Sequence, residues 1–235
     1  MSLRKANIAR KVVYEGSDCA LYKFAVCRPI MRETEDFTEE QIPNWPSFYV
    51  FVWNDPEKQY IAVQVKKSAF GDTLVVAKVL INAVNVSLHD RLLRAHIEEL
   101  FDHYEFWDVA DKNAGNIRDV RFEIVTPNMS NISAVLDDEY KSFVASTNTV
   151  STIVDIKADE DSSIIVDKDN PRLSALVSYA SEGGGKVSLG IKGYHKRVYM
   201  KGAKVQLDID EMTFESGDPK SVSDILKDMF DGTGI

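Results

Sequence analysis

Cysteine is scarce in this chain, since its 235 residues include only Cys19 and Cys27. Along one extended strand these two residues would lie about 26 Å apart, whereas a disulfide needs Cα atoms within about 7 Å. We therefore expect two free thiols. The apolar runs are shorter than the roughly 20 residues of a membrane helix, and the basic amino terminus lacks the apolar core of a secretory signal. These absences predict a cytoplasmic protein that does not enter a membrane.

Motifs of catalysis and cofactor binding are also missing. There is no Gly-x-Ser-x-Gly elbow for a nucleophilic serine, and neither cysteine stands in the histidine context of a nucleophile. The run Gly183–Lys186 lacks the following serine or threonine of a phosphate loop and leads toward a strand instead of a helix. We therefore expect no cofactor and no metal, and a non-enzymatic function is the favoured interpretation.

One group of residues has spacing that metal sites use on helices. His89, His96, Glu99 and His103 fall on one predicted helix, with neighbours in the group one or two turns apart. Their order is not H-E-x-x-H. The preferred interpretation is an exposed polar face of that helix.

A second short pattern is typical of metal-dependent nucleases. Asp155-Ile156-Lys157 fits their acid-x-Lys strand, with Asp137 or Asp138 as the upstream acid. In that chemistry the two acids hold the metal, and the lysine steadies the attacking water or the phosphate. An acid and a lysine on the polar face of a strand explain the pattern equally well. A nuclease using Asp155 and Lys157 is therefore the weakest of three functional hypotheses.

The charge distribution is more informative than any motif. The chain is 44% hydrophobic and 28% charged, as in ordinary globular proteins, and its net charge is −9. That net charge argues against general coating of nucleic acid. Yet the segment 186–204 holds five lysines and one arginine without a single carboxylate. A segment this basic is either a contact surface for an anion or an internal counter-charge.

The segment 186–204 mixes cations with aromatic rings and glycines, a composition that suits phosphate contact and base stacking. Two alternatives remain: its lysines protect the edges of a small sheet, or they neutralise the acidic stretches at 159–169 or 208–215. The nucleic-acid hypothesis assigns contacts to Lys186, Lys192, Tyr194, Lys196, Arg197, Tyr199, Lys201 and Lys204.

The first third of the chain has the composition of β-structure. Segment 20–27 predicts a strand, and 33–40 an exposed acidic loop. The apolar run 48–53, the turn residues 54–59 and the segment 60–65 predict a β-hairpin over 48–65. Because the run 48–53 is apolar throughout, we expect that strand to be central in its sheet.

Helices are expected further along. Asp72-Thr73 predicts the cap of a helix over 74–81, and Ser87 the cap of a second helix whose apolar stripe reaches Phe101. Strands are expected at 120–125 and 151–156, separated by a helix over 134–145. Pro171 predicts the start of another helix. Three β-segments (186–192, 197–201 and 203–209) and a helix over 222–230, capped by Ser221, follow. We expect that last helix to pack on its own domain more readily than on a partner.

This order of elements predicts an α+β protein. Residues 1–158 would form a mixed or antiparallel sheet with two or three packed helices. Residues 159–235 would form a smaller unit of a helix, a three-stranded basic meander and the terminal helix, packed as a separate unit or as one body with the first. The leading hypothesis is a non-enzymatic protein that binds nucleic acid, or a complex that handles it, through 186–204. The alternative is an accessory or inhibitory subunit whose acidic surface engages a basic protein.

Overall fold

The computed structural model describes residues 7–56, 59–125, 142, 146–147, 149–200 and 205–232. The chain folds into two compact units. Unit 1 comprises Met1–Ile97 and Asp208–Gly234, and unit 2 comprises Glu98–Leu207. Each unit combines antiparallel strands with helices, which confirms the α+β class.

Five α-helices have both ends within the described residues, where residues 142 and 146–147 are helical as well. In chain order the five are α1 (Thr73–Leu88), α2 (His103–Lys112), α3 (Pro171–Tyr179), α4 (Glu211–Ser216) and α5 (Pro219–Gly232). None of these helices combines the length and the apolar composition needed to cross a bilayer.

Unit 1 is built on an antiparallel sheet with the strand order β1-β2-β5-β6, together with a two-stranded β3–β4 sheet. Its strands are β1 (Ile8–Glu15), β2 (Cys19–Val26), β3 (Ile30–Glu33), β4 (Glu39–Ile42), β5 (Ser47–Asn54) and β6 (Gln59–Val63). The predicted hairpin is confirmed, since β5 and β6 pair with Val50 opposite Val63 and Trp53 opposite Tyr60. β5 lies between β2 and β6, as its continuous apolar sequence predicted. The ends of the acidic segment 33–40 belong to β3 and β4, and only its middle is a loop.

Both faces of β5 are covered, which explains why apolar residues continue along it without alternation. Phe48 and Val50 belong to a core with Val76 of α1. On the opposite face, Phe51 and Trp53 meet the ring of Phe230 from α5. Successive strand residues point to opposite faces, so each helix receives every second side chain of β5.

Helix α5 packs on the sheet of unit 1, whereas the order of elements in the sequence grouped it with the strands expected at 186–209. The Phe230 ring stacks on Tyr60 with centroids 5.0 Å apart, and the Lys227 Nζ donates to Asp18 Oδ2 at 2.6 Å. This ammonium holds the pKa of the Asp18 carboxyl below its usual range. The prediction that Ser221 caps the helix is wrong. Ser221 lies inside α5, and its backbone N–H donates to the Asp218 carboxylate at 3.1 Å.

Helix α1 begins where the sequence predicted but ends later. The Asp72 side chain accepts from the backbone N–H of Leu74, as an N-cap does. The helix then continues through Ser87 to Leu88 and ends in a 3₁₀ turn, His89–Arg91. The predicted second helix, from Ser87 to Phe101, is therefore wrong. The next helix is α2, capped by Asp102.

Unit 2 is built on an antiparallel sheet with the strand order β10-β9-β7-β8. Its strands are β7 (Ile117–Val125), β8 (Ser151–Lys157), β9 (Gly185–Ile191) and β10 (Val198–Tyr199). Alternate residues of β7, among them Phe122, enter a core with Phe106 of α2 and Val177 of α3. β7 pairs with β8 on one side and with β9 on the other. Because one sheet joins segments from both sides of residue 158, the expected division at that residue differs from the two units observed.

The predicted strand 186–192 is confirmed by β9, which begins at Gly185. Only glycine fits there, because a Cβ atom would lie 2.1 Å from the Glu123 carbonyl oxygen of β7. Of the predicted strand 203–209, residues 205–209 have no regular structure, and 203–204 lie outside the described residues. The predicted helix 134–145 also lies outside them, apart from residue 142. Cys19 and Cys27 are free thiols, as expected.

Candidate nucleic-acid interface

The most basic part of the chain forms a hairpin at one end of the unit 2 sheet. β9 and β10 are antiparallel, with Val198 opposite Leu189. Between them lies a loop, which we call the basic loop: Lys192, Gly193, Tyr194, His195 and Lys196. The loop therefore starts and ends on paired strands of a folded sheet.

Backbone hydrogen bonds fix the start of the basic loop. The Lys192 N–H donates to the Asn116 carbonyl at 2.8 Å, and the Tyr194 N–H donates to the Ile191 carbonyl at 3.2 Å. Gly193 between them has φ +84°, a conformation that favours glycine. The turn thus has a defined geometry that its own glycine makes possible.

The side chains of the basic loop are accessible. Tyr194 is 56% exposed, His195 and Lys196 are exposed, and Lys192 is half-buried. Within the described part of the chain, neither Lys192 nor Lys196 forms an ion pair. An aromatic face therefore lies in sequence between two cations that form no ion pair with any residue the structure describes.

Arg197 has a different role from these lysines. Its Nε donates to the Ser188 hydroxyl at 2.9 Å, its Nη2 donates to the Ser188 carbonyl at 3.0 Å, and its Nη1 pairs with the Asp119 carboxylate. Three of its donors are thus already used within the sheet. The arrangement does not support the predicted contact role for Arg197, because the guanidinium instead ties the end of the basic loop to β9 and β7.

Gly190 makes room for this arrangement. It lies opposite Asp119 in the β7–β9 pairing, and a Cβ atom at Gly190 would be 2.1 Å from the Asp119 carboxylate. The carboxylate therefore lies directly over the glycine, within reach of Arg197. Nothing in the local sequence around Arg197 indicates this contact, since Asp119 precedes it by 78 residues.

The remaining residues assigned to the surface are not in the basic loop. Lys186 lies on β9, where its Nζ pairs with Glu98 Oε2 at 3.3 Å. Tyr199 lies on β10, opposite Ser188, with its side chain exposed. Lys201 and Lys204 fall outside the described residues. The structure therefore brings together Lys192, Tyr194 and Lys196 and separates them from Lys186.

An acidic loop lies at the same end of the sheet. The Ala158 N–H donates to the Arg118 carbonyl at 2.8 Å, which places the exposed residues Asp159, Glu160 and Asp161 just beyond the end of β8. β8 and β9 flank β7, so their ends are about 10 Å apart at the usual strand spacing. That distance is close to the Debye length at physiological salt. The acidic loop therefore weakens the field of the basic loop without neutralising it by contact.

The carboxylate of the acid-x-Lys pattern is already paired with two cationic side chains. Asp155 Oδ2 accepts from Arg121 Nη2 at 2.6 Å and lies 3.2 Å from Lys157 Nζ. Hydrogen bonding from Arg121, with a further contribution from Lys157, holds the pKa of the Asp155 carboxyl below its usual range. Asp137 and Asp138 lie outside the described residues. A carboxylate that is paired with an arginine is a poor metal ligand. The arrangement therefore favours the interpretation of Asp155 and Lys157 as the polar face of a strand over their interpretation as a nuclease site.

No metal centre forms among the residues that the structure describes, where no three His, Cys, Asp or Glu side chains meet in a way that would hold an ion. His89, His96, Glu99 and His103 do not share a helix. His89 opens a 3₁₀ turn, His96 and Glu99 lie outside regular structure, and His103 begins α2.

Comparison of the chain with protein-family models, with curated proteins and with solved structures found no match.

Proposed function

We propose that the protein binds single-stranded nucleic acid through the basic loop, in the cytoplasm and without a catalytic step. The observation that carries this proposal is the exposed Tyr194 between Lys192 and Lys196 on a loop whose two ends are tied to the sheet. Unpaired bases stack on aromatic faces, and lysines contact the phosphates on either side. A duplex hides its base faces and would use the cations alone.

The geometry of the loop limits the number of phosphates it reaches. Two lysines of one tight turn contact about two phosphates, and the acidic loop nearby opposes any longer track. We therefore expect modest affinity with little sequence preference, because an aromatic ring stacks on every base. This expectation agrees with the net charge of −9, which does not suit extensive coating of nucleic acid.

The salt dependence of binding tests this proposal. Neutralising two phosphates of a single strand gives a slope of log affinity against log salt of about −1.4. Raising the salt from about 50 to about 200 mM would then lower the affinity about sevenfold. Fluorescence anisotropy of labelled oligothymidylate, titrated with the protein at several salt concentrations, measures this slope.

A duplex of the same length serves as the comparison ligand. We expect weaker binding to the duplex at every salt concentration, because Tyr194 has no free base to stack on. Absence of binding to oligothymidylate at the lowest salt would refute the proposal. Equal affinity for the single strand and the duplex would refute the role of Tyr194.

A second candidate function rests on the acidic loop. Asp159, Glu160 and Asp161 are exposed side by side, and such a cluster suits a basic protein partner. Binding of that kind would be lost on neutralising these carboxylates and would survive charge reversal in the basic loop. The two functions therefore respond to different substitutions.

A further inference from the structure

Helix α1 carries apolar side chains that stay exposed in the part of the chain that the structure describes. Val76 and Ala77 face the core, and Leu80 packs against it. On the side of the helix away from these residues, Val75 is 39% exposed and Val86 is 77% exposed. Val75, Val79, Asn82 and Val86 follow the spacing of a single helix face. These four residues are uncharged, Val79 among them is half-buried, and Lys78 lies beside them, one turn from Val75 and from Asn82.

Leu92 extends the exposed apolar surface just beyond the end of α1. It has φ +55°, a left-handed conformation that favours glycine, and its side chain is 95% exposed. Neither the local backbone nor burial within the chain accounts for a leucine at this position. Leu92 therefore adds one exposed apolar side chain beyond the end of α1.

The segment that carries Leu92 is held beside the helix. The Asn85 amide donates to the Ala95 carbonyl at 2.9 Å and accepts from the Ala95 N–H at 2.7 Å. The Leu93 N–H donates to the Leu88 carbonyl at 3.3 Å. The segment that follows the 3₁₀ turn is therefore held against the last turns of α1.

The charges around this surface indicate its partner. Between Asp72 and Asp90 the only Asp, Glu, Lys or Arg residue is Lys78. Two copies of an acidic chain repel each other over most of their surface, and they approach most easily where carboxylates are absent. A twofold contact places the same patch of the two copies against each other. When that patch is uncharged, the contact brings no like charges together.

We propose that this face of α1 binds a second copy of the chain in a twofold-symmetric dimer, with Asn82 of the two copies near the axis. Other occupants fit less well. A polyanion would find a single lysine, and helices that lie on membranes carry many basic residues on their polar face. One face of a helix about 24 Å long can bury less surface than a standard interface, which buries about 800 Å² on each partner. We therefore expect a reversible dimer that forms at micromolar concentrations.

Sedimentation velocity over a concentration series tests this assignment. The wild-type chain is expected to move from the monomer mass toward the dimer mass as concentration rises, more so at high salt, because screening reduces the repulsion between acidic copies. Val86→Glu places like charges in the contact and is expected to stay monomeric. Ile165→Glu is the matched control, because Ile165 is 87% exposed outside α1 and receives the same charge. A wild-type chain that remains monomeric throughout, or a Val86→Glu chain that dimerises like the wild type, would overturn the proposal.

A crosslink provides a second readout. Asn82→Cys is expected to form a disulfide-linked dimer under mild oxidation, because the two introduced thiols would lie near the axis. The matched control Ile165→Cys is expected to give no more crosslinked dimer than the wild type, whose Cys19 is buried. Equal crosslinking of both variants would indicate random collision and contradict the assignment. Binding of the wild-type chain to phosphatidylcholine vesicles that Val86→Glu abolishes would assign the face to a lipid surface instead.

Discussion

Replacing both Lys192 and Lys196 by glutamate is expected to lower the affinity for oligothymidylate by about 30-fold to several hundred-fold. Each substitution removes an attraction to phosphate and adds a repulsion, at about 1–2 kcal/mol per position for a partly screened pair. The two substitutions together are expected to weaken the binding free energy by about 2–4 kcal/mol. Anisotropy titrations of the wild type and the double variant at one low salt concentration measure the difference.

The matched control carries the same change of charge elsewhere. Lys67 and Lys168 are exposed lysines outside the basic loop, and the Lys67→Glu, Lys168→Glu variant should bind nearly as well as the wild type. A second variant, Tyr194→Ala, is expected to lose about 1–3 kcal/mol of stacking with little change in the salt slope. Equal losses in the control and in the loop variant would show that only the net charge matters.

Replacing Phe122 by alanine is expected to destabilise unit 2 by about 3–5 kcal/mol, the largest stability effect that we predict. Phe122 is fully buried on the central strand β7, in a core with residues of α2, α3 and β9. The loss combines the transfer of a large ring to water with a cavity that rigid strands on both sides cannot close.

Hydrogen exchange read by mass spectrometry locates this effect. Amides of β7 and β9 should exchange about a hundredfold faster or more in Phe122→Ala, as 3 kcal/mol or more requires. Peptides from β5 provide an internal comparison, since that strand belongs to unit 1. Ile165→Ala, at a highly exposed position, should leave all rates unchanged. Unaltered protection of β7 in Phe122→Ala would contradict the assigned core.

Elements defined by local chemistry were predictable from the sequence. The β5–β6 hairpin follows from an apolar run, a turn and a second apolar run, and the start of α1 follows from the Asp72 cap. The start of α3 was also marked, because Pro171 occupies its first position. In each case the decisive residues lie within one turn or one hairpin of each other.

The errors arose where residues distant in the sequence decide the structure. The apolar spacing from Leu88 to Phe101 resembles a helix, yet the chain turns at Leu92, and Asn85 binds the segment that follows. The spacing of apolar residues indicates which side chains are suited to burial. It does not indicate where the backbone changes direction.

The candidate site, too, depends on residues that are distant in the sequence. The sequence identified the basic segment but did not separate Arg197 from its neighbouring lysines. That separation depends on the strand order of the unit 2 sheet, which brings Asp119 over Gly190 and within reach of Arg197. Sequence composition located the loop, and only the pairing of β7, β9 and β10 shows which of its cations are already engaged.

The most direct test of the central claim is to identify the residue that touches the nucleic acid. Oligothymidylate in which one base is replaced by 5-iodouracil forms photochemical crosslinks to aromatic side chains in contact with that base, and mass spectrometry of the digested complex identifies them. We expect the main crosslink at Tyr194, and we expect it to disappear in the Lys192→Glu, Lys196→Glu variant. Crosslinks confined to residues outside the basic loop, with Tyr194 unmodified, would contradict this assignment of the binding surface.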